Sequence, residues 1–183
     1  MTRYIALLRG INVGTGNRIR MEALRRLFEE HGFSGVETYI QSGNVLFSSD
    51  LTEVEISDVI VRLLLEGAQI KTTVVLRNSL ELHSLVSACP FSAEEIDTAQ
   101  RENTEGESFH VALLSHAPAE SVVAKLNEIP ADGDRFVIVG RDVYVLLRRS
   151  IRNSKLAIKL QKLLPEATLR NWNTITKLNE LAI

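Results

Sequence analysis

The sequence predicts an α+β fold made of two ferredoxin-like halves, with mostly antiparallel sheets and an extra C-terminal helix. Three observations support it: short apolar strands alternate with helix-periodic segments, hairpin turns join neighbouring strands, and the β-α-β-β-α-β order occurs twice. The chain has 183 residues, 45% hydrophobic and 24% charged, which are ordinary values for a globular protein. That length is enough for two small domains, each with a core of its own.

The elements of the first half follow from its apolar periods and its turns. Met21, Leu24 and Leu27 recur at helical spacing, and Thr52 is placed to cap a second helix. A glycine turn at 42–44 joins two strand-like runs and predicts a hairpin. In order, the predicted elements are a strand at Tyr4–Leu8, a helix ended by Gly32, a hairpin of Val36–Ile40 with Val45–Phe47, a helix after Thr52, a strand at Lys71–Leu76 and a helix at Ser79–Ala88.

The second half repeats this plan after an acidic stretch. Residues 92–107 hold six acidic residues and no apolar period, which predicts a connection between an N-terminal half at 1–91 and a C-terminal half at 108–183. The elements predicted beyond it are a strand at Phe109–Leu114, a helix at Ala119–Glu128, a hairpin of Arg135–Val139 with Val143–Leu147, a helix at Ser154–Leu164, a strand at Ala167–Leu169 and a last helix, capped by Asn173 or Thr174, that reaches Leu181.

A loop of glycines and amides follows the first strand and is the most informative stretch of the chain. Three glycines and two asparagines in residues 10–17 allow positive φ and expose backbone N–H groups, which suits an anion. The loop lacks the lysine of a phosphate-binding P-loop and the third glycine of a dinucleotide fingerprint, so ATP hydrolysis and NAD chemistry have little support. Its predicted ligand-binding residues are Arg9, Gly10, Asn12, Gly14 and Asn17.

A second polar turn is predicted to lie beside this loop. In a ferredoxin-like half, the C-terminal end of the first strand and the following hairpin turn share one edge of the sheet. Gln41, Ser42 and Asn44 therefore join the predicted ligand-binding rim, with Arg9 and Asn44 approaching the same cavity. Ser42 is a weak candidate nucleophile, because the sequence places no His or acid to activate it.

A third polar cluster precedes the last helix and has two interpretations. Arg170, Asn171 and Trp172 could bind a planar or phosphorylated ligand, since arginine and tryptophan clamp such groups by stacking and charge. Alternatively, Trp172 fills the core while neighbouring residues cap the helix. Asn171 is expected to bond backbone groups near the helix in either case.

Charge is unevenly distributed along the chain. Residues 1–134 hold 11 Lys/Arg against 20 Asp/Glu, whereas residues 135–183 hold 10 against 3. The basic segment 148–170 could bind a nucleic-acid backbone, or its part at 148–162 could dock on the acidic part of the chain. Because exposed ion pairs contribute little stability, the sequence favours an open patch without acidic neighbours, formed by Arg148, Arg149, Arg152 and Lys155.

Composition narrows the class of protein. Cys89 is the single cysteine, which excludes an internal disulfide and fits a reducing cytoplasm with a buried, inert thiol. The apolar run at 4–8 is too short for a membrane span, so no membrane partner is expected. The four histidines have no metal-like spacing among themselves or with Cys89, and no metal site is expected.

At its three polar clusters the chain resembles a known bacterial family, catalogued as domain of unknown function 1697. The resemblance covers nearly the whole chain and implies a two-part α+β fold of ferredoxin-like halves, with no established activity or cofactor. The chain has Gly14-Thr15-Gly16 where that family usually has glycine-glycine-lysine. The matching residues are Leu7–Gly14 with Asn17 and Met21, Gln41–Val45, and Thr168 with Arg170–Thr174, Lys177 and Leu178.

Three hypotheses for function follow, and they identify a surface rather than a reaction. The first is a cytoplasmic protein, an enzyme or a simple binder, that holds a phosphorylated small molecule or a nucleotide at the rim of the Arg9–Asn17 and Gln41–Asn44 loops. The second is a nucleic-acid-binding module using residues 148–170. The third is a purely structural or interaction protein, in which the three clusters serve turns and caps.

Overall fold

The computed structural model describes residues 1–130 and 132–183. They form two compact units, one of Met1–Ser84 with Lys177–Ile183 and the other of Leu85–Thr176. No helix within the described residues is long and apolar enough to cross a membrane. The elements, in chain order, are β1 (Thr2–Leu8), α1 (Met21–Glu30), β2 (Ser34–Tyr39), β3 (Asn44–Ser49), α2 (Glu53–Ala68), β4 (Val74–Asn78), α3 (Ser79–Ser87), α4 (Ala93–Glu102), β5 (Phe109–Leu113), α5 (Glu120–Asn127), β6 (Arg135–Val139), β7 (Asp142–Leu146), α6 (Lys155–Leu163), β8 (Thr168–Asn171) and α7 (Trp172–Leu181).

Each unit contains a four-stranded antiparallel sheet with the predicted ferredoxin-like order. The strand orders are β2-β3-β1-β4 and β6-β7-β5-β8, so each first strand lies between its third and fourth strands. In the first sheet, Leu7 pairs with Asn44 and Leu8 pairs with Val74. The end of β1 therefore meets the start of β3, and this register confirms that the loop after β1 and the β2–β3 turn share one edge.

In each unit, strand residues from one face of the sheet pack with helix residues in a core. In the first unit, Ala6, Leu8 and Phe47 pack with Leu24 and Phe28 in a core that the solvent does not reach. In the second unit, the corresponding core contains the alternate residues of β5 and β7 together with apolar residues of α6. The strand residues of each core alternate along the strand, and its helix residues recur at the helical period. Both patterns are visible in the sequence, which is why the fold was predictable.

The acidic connection predicted at 92–107 contains a helix. Helix α4 begins at a capping box: the Ser92 hydroxyl accepts from the Glu95 N–H, and the Glu95 carboxylate accepts from the Ser92 N–H. This reciprocal pair satisfies two backbone donors and compensates for a weak apolar period, in which Ala99 is the buried residue. The sequence analysis predicted a connection here and did not predict this helix. The compact units also divide at Ser84 and Leu85 rather than at the predicted boundary.

A short sequence repeat marks corresponding positions in the two units. Leu76-Arg77-Asn78 ends β4, and Leu169-Arg170-Asn171 ends β8. Each asparagine caps the next helix: Asn78 Oδ1 accepts from the Glu81 N–H at 2.9 Å, and Asn171 Oδ1 accepts from the Thr174 N–H at 2.9 Å. Each arginine is buried and donates to the carbonyl oxygen of the leucine before it. The repeat supports an internal duplication.

Candidate functional site

The Arg9–Asn17 loop and the Gln41–Asn44 turn lie together at one edge of the first sheet, as predicted. The Leu8 N–H donates to the Gly43 carbonyl at 2.9 Å, which joins the end of β1 to the turn. On its other side, the Arg9 N–H donates to the Thr73 carbonyl, and the Thr72 hydroxyl donates back to the Arg9 carbonyl at 2.6 Å. Hydrogen bonds with the turn before β3 and with the residues before β4 therefore hold the backbone at the base of the loop.

Asn12 connects the loop to the turn through its side-chain amide. Its Nδ2 donates to the carbonyls of Ile19 and Gln41, both at 2.9 Å, and its Oδ1 accepts from the Ile19 N–H. Its own backbone N–H donates to the Asn17 carbonyl, which closes the loop. Asn12 adopts a φ of 57°, a conformation that asparagine tolerates better than most residues. Its side-chain amide therefore positions the two loops, because both its nitrogen and its oxygen already bond backbone groups of the rim.

Gly43 is required where the two loops touch. Its φ is 81°, and a Cβ at this position would lie 2.8 Å from Ile11 Cγ1 and 3.0 Å from Leu8 Cβ. Both the backbone conformation and the contact exclude a side chain. The turn also holds Ile40 at a φ of 48°, which is strained for a β-branched residue, with its side chain exposed.

The other two asparagines of the predicted rim hold the backbone. Asn44 is 0% exposed, and its Nδ2 donates to the Tyr39 carbonyl and the Ser42 hydroxyl, both at 3.0 Å. The predicted approach of Asn44 to a cavity shared with Arg9 was wrong, because the amide is buried beneath the turn and stabilises it. Asn17 is half-buried and its Nδ2 lies 3.5 Å from the Lys71 carbonyl.

The outer part of the loop presents unused hydrogen-bond donors to solvent. Within the described residues, no acceptor bonds the backbone N–H groups of Gly10 or of residues 13–16. All five residues are exposed, as is Arg9, while Arg18 donates to the Gly14 carbonyl at 2.6 Å and fixes the loop from the side. The rim therefore combines a rigid frame, free N–H donors and a cationic side chain, which together favour an anionic group.

The third cluster belongs to the second unit and is largely structural. Asn171 caps α7, as expected, so the predicted caps at Asn173 or Thr174 were wrong: the observed cap lies two or three residues before them. Trp172 is half-buried and packs on Phe109, with ring centroids 4.7 Å apart.

Arg170 and its counterpart in the first unit are buried cations. Arg170 is 9% exposed, and burial lowers its pKa to about 10 because the charged form loses solvation. Arg77, at the matching position of the first unit, is 1% exposed and escaped the sequence prediction. The repeated Leu-Arg-Asn tripeptide was the feature that could have identified it.

The basic segment faces acidic side chains, so the predicted open patch was wrong. Arg148 lies 3.7 Å from Glu102, and Lys155 lies 2.8 Å from Asp132. Nearby Arg149 contributes to lowering the pKa values of Glu105 and Asp132, although hydrogen bonds from Asn153 and Lys155 are the larger causes, respectively. The acids come from residues 1–134 but lie close in space, because the turn before β6 and the end of α4 border this segment.

No group of three or more His, Cys, Asp or Glu side chains in the part of the chain described here is placed to hold a metal ion. Fold and rim together define an α+β protein of two ferredoxin-like units with a polar loop pair on the first. The chain belongs to the family described as proteins of unknown function (DUF1697), whose model matches residues 1–144.

A solved structure has the same fold. The conserved bacterial protein SP0830 from Streptococcus pneumoniae is 22% identical to this chain, with a TM-score of 0.76 over 100% of this chain and 98% of that one. At this identity the similarity establishes the fold alone. No curated protein matches the chain.

Proposed function

We propose that the rim formed by the Arg9–Asn17 loop and the Gln41–Asn44 turn binds the anionic group of a phosphorylated small molecule or a nucleotide. The observation that carries the proposal is the row of exposed N–H groups at Gly10 and residues 13–16, which lack acceptors among the described residues. Free backbone donors held in a fixed loop suit an anion because they need no rearrangement on binding.

Each group of the rim then has a distinct part. The Arg9 guanidinium neutralises charge, and the loop N–H groups and the exposed Gln41 side chain hydrogen-bond the anion's oxygens. Ser42, half-buried beside them, offers a hydroxyl at the rim. Asn12 keeps the two loops in register through its bonds to the Ile19 and Gln41 carbonyls. The proposal also keeps the cytoplasmic location, which rests on the single free cysteine.

Calorimetric titration at low ionic strength with inorganic phosphate and with pyrophosphate tests the proposal. Arg9→Gln removes the charge and should weaken binding by at least about tenfold, since a charge-assisted hydrogen bond contributes about 1.5–3 kcal/mol. Arg62→Gln is the matched control, because Arg62 is an exposed arginine on α2 of the same unit. In wild-type protein, backbone amide shifts at residues 10–16 should move with added phosphate. Equal binding by the two variants would overturn the role of the rim.

No observation favours the nucleic-acid alternative for residues 148–170. The acids paired with Arg148 and Lys155 offset the positive charge that a phosphate backbone would need. Measuring binding of an oligonucleotide at two salt concentrations tests this alternative directly, because backbone contacts lose orders of magnitude in affinity as salt rises. The purely structural alternative would be favoured by a protein that binds neither phosphate nor an oligonucleotide.

A further inference from the structure

A groove beside the rim has the size and lining of a ligand site. Its volume is about 610 Å³, within the range of small-molecule pockets. It runs along α1 and reaches the C-terminal end of α2. Its lining residues come from the segment 18–30 and from Gly67 and Ala68.

The floor of the groove is apolar and rigid. Ile19, Leu27 and Ala68 are half-buried and pack against the core of the first unit. A Cβ at Gly67 would lie 2.5 Å from Leu27 Cδ2, so the glycine allows α2 to approach α1 closely. Ala23, in the first turn of α1, also lines the groove, and its side chain is small and exposed. Such a floor suits a planar apolar group.

The edge of the groove carries charged side chains, with arginines at one end and an acidic row beyond them. Arg18 and Arg20 stand at the end that adjoins the loop, and Glu22, Arg26 and Glu30 follow at i, i+4 and i+8 along α1. That row is about 12 Å long, from the helical rise of 1.5 Å per residue. Arg26 and Glu22 form an ion pair at 2.5 Å, and Glu30 adds a second carboxylate, so this row is acidic as a whole.

Arg18 joins the groove to the proposed anion site. Its Nη2 donates to the Gly14 carbonyl at 2.6 Å, and Arg18 also lines the groove, so one side chain contacts both the loop and the groove. A phosphate held by the loop would therefore lie at the cationic end, and the rest of the molecule would lie over the apolar floor. The Glu22 carboxylate, next to the cationic end, can accept hydrogen bonds from sugar hydroxyls, and the carboxylates of Glu22 and Glu30 repel a chain of further phosphates.

We infer that the groove receives the sugar and base of a nucleoside monophosphate whose phosphate lies on the Arg9–Asn17 loop. This inference rests on the proposed function and names its ligand class. The base contacts Leu27 and Ala68, the ribose hydroxyls face Glu22, and the Arg26 guanidinium lies over the exposed face of the base. Inorganic phosphate uses the loop alone.

The test compares AMP, ribose 5-phosphate and inorganic phosphate by calorimetric titration. AMP should bind at least about tenfold more tightly than inorganic phosphate, with ribose 5-phosphate between them. Ala23→Tyr fills the groove and should remove most of the AMP advantage while leaving phosphate affinity unchanged. Ala124→Tyr is the matched control, because Ala124 is an exposed alanine within helix α5 of the other unit. In the wild type, methyl signals of Leu27 and Ala68 should shift with AMP and stay fixed with phosphate.

The outcomes separate this inference from the proposed function. If phosphate binds and AMP binds no more tightly than phosphate, the groove inference is overturned and anion binding at the rim is supported. If AMP binding depends on Ala23 but is unchanged by Arg9→Gln, the groove stands and the role of the rim falls. Equal loss of AMP binding in Ala23→Tyr and Ala124→Tyr also overturns the groove, and a protein that binds none of the three probes overturns both.

Discussion

His110 makes the free energy of unfolding depend on pH, and the size of this effect follows from the burial of its side chain. It lies in β5, opposite Val145 and Asn171, and is 8% exposed. Burial lowers its pKa from 6.5 to about 4, because the imidazolium loses solvation in the strand's apolar surroundings. Its Nδ1 has no hydrogen-bond partner within the described residues, so no acceptor offsets that loss.

The sign of the effect is fixed by the direction of the shift. The folded protein takes up the His110 proton at a lower pH than the unfolded chain, so acid favours unfolding. Stability is unaffected by this group well above pH 6.5 and falls as pH decreases toward 4. One pKa unit is 1.36 kcal/mol, which gives a loss of about 2 kcal/mol at pH 5 and about 3 kcal/mol below pH 4.

Urea unfolding at pH 8, 7, 6 and 5 measures the effect. His110→Leu removes the titrating group, so the free energy of unfolding of the wild type should fall by about 2 kcal/mol more than that of the variant between pH 8 and pH 5. The comparison uses the change in unfolding free energy with pH rather than its value at a single pH, because the substitution also changes packing. His116→Gln, at an exposed histidine, is the control and should follow the wild type. Parallel curves for wild type and His110→Leu would refute a buried neutral imidazole.

Substitutions at three further positions test the frame of the rim and the cap of the last helix. Gly43→Ala should cost about 2–4 kcal/mol in unfolding free energy, from a positive φ and a 2.8 Å contact with Ile11; an unchanged urea midpoint would contradict this. Asn12→Ala removes three hydrogen bonds and should cost about 2–3 kcal/mol while weakening phosphate binding, although its amide faces inward; affinity equal to wild type would show that the loops hold without it. Asn171→Ala should cost about 1 kcal/mol, and Asn171→Asp should restore most of it, because the Oδ1 acceptor from the Thr174 N–H returns; equal stability of both variants would disprove the cap.

The fold was predictable because local and long-range preferences agree along most of the chain. Strand alternation, the Thr52 capping box and the glycine turns each indicate the element that the structure contains. Helix α4 was missed because its apolar period is weak and its start depends on the reciprocal Ser92–Glu95 cap. The Ser-x-x-Glu spacing was the indication in the sequence.

The candidate site was predictable in position and less so in the parts its residues play. Asparagine amides bind ligands and hold loops with the same hydrogen-bonding groups, so sequence alone does not separate the two uses. In the structure, Asn12, Asn44 and Asn171 all satisfy backbone groups. The ion pairs of Arg148 and Lys155 could not be predicted either, because tertiary packing rather than sequence spacing determines their partners.

The internal duplication gives an independent reason to place function on the first unit. The two units share strand order, the capped Leu-Arg-Asn ends and the bond from strand to turn: the Leu8 N–H donates to the Gly43 carbonyl, and the Leu114 N–H donates to the Arg141 carbonyl. They differ in the lengths of the two connections that meet there. Twelve residues join β1 to α1 and four join β2 to β3, whereas six and two join the matching elements of the second unit. Since the shorter connections suffice to build this fold, the additional residues of the first unit, with their free N–H groups and Arg9, are available for binding.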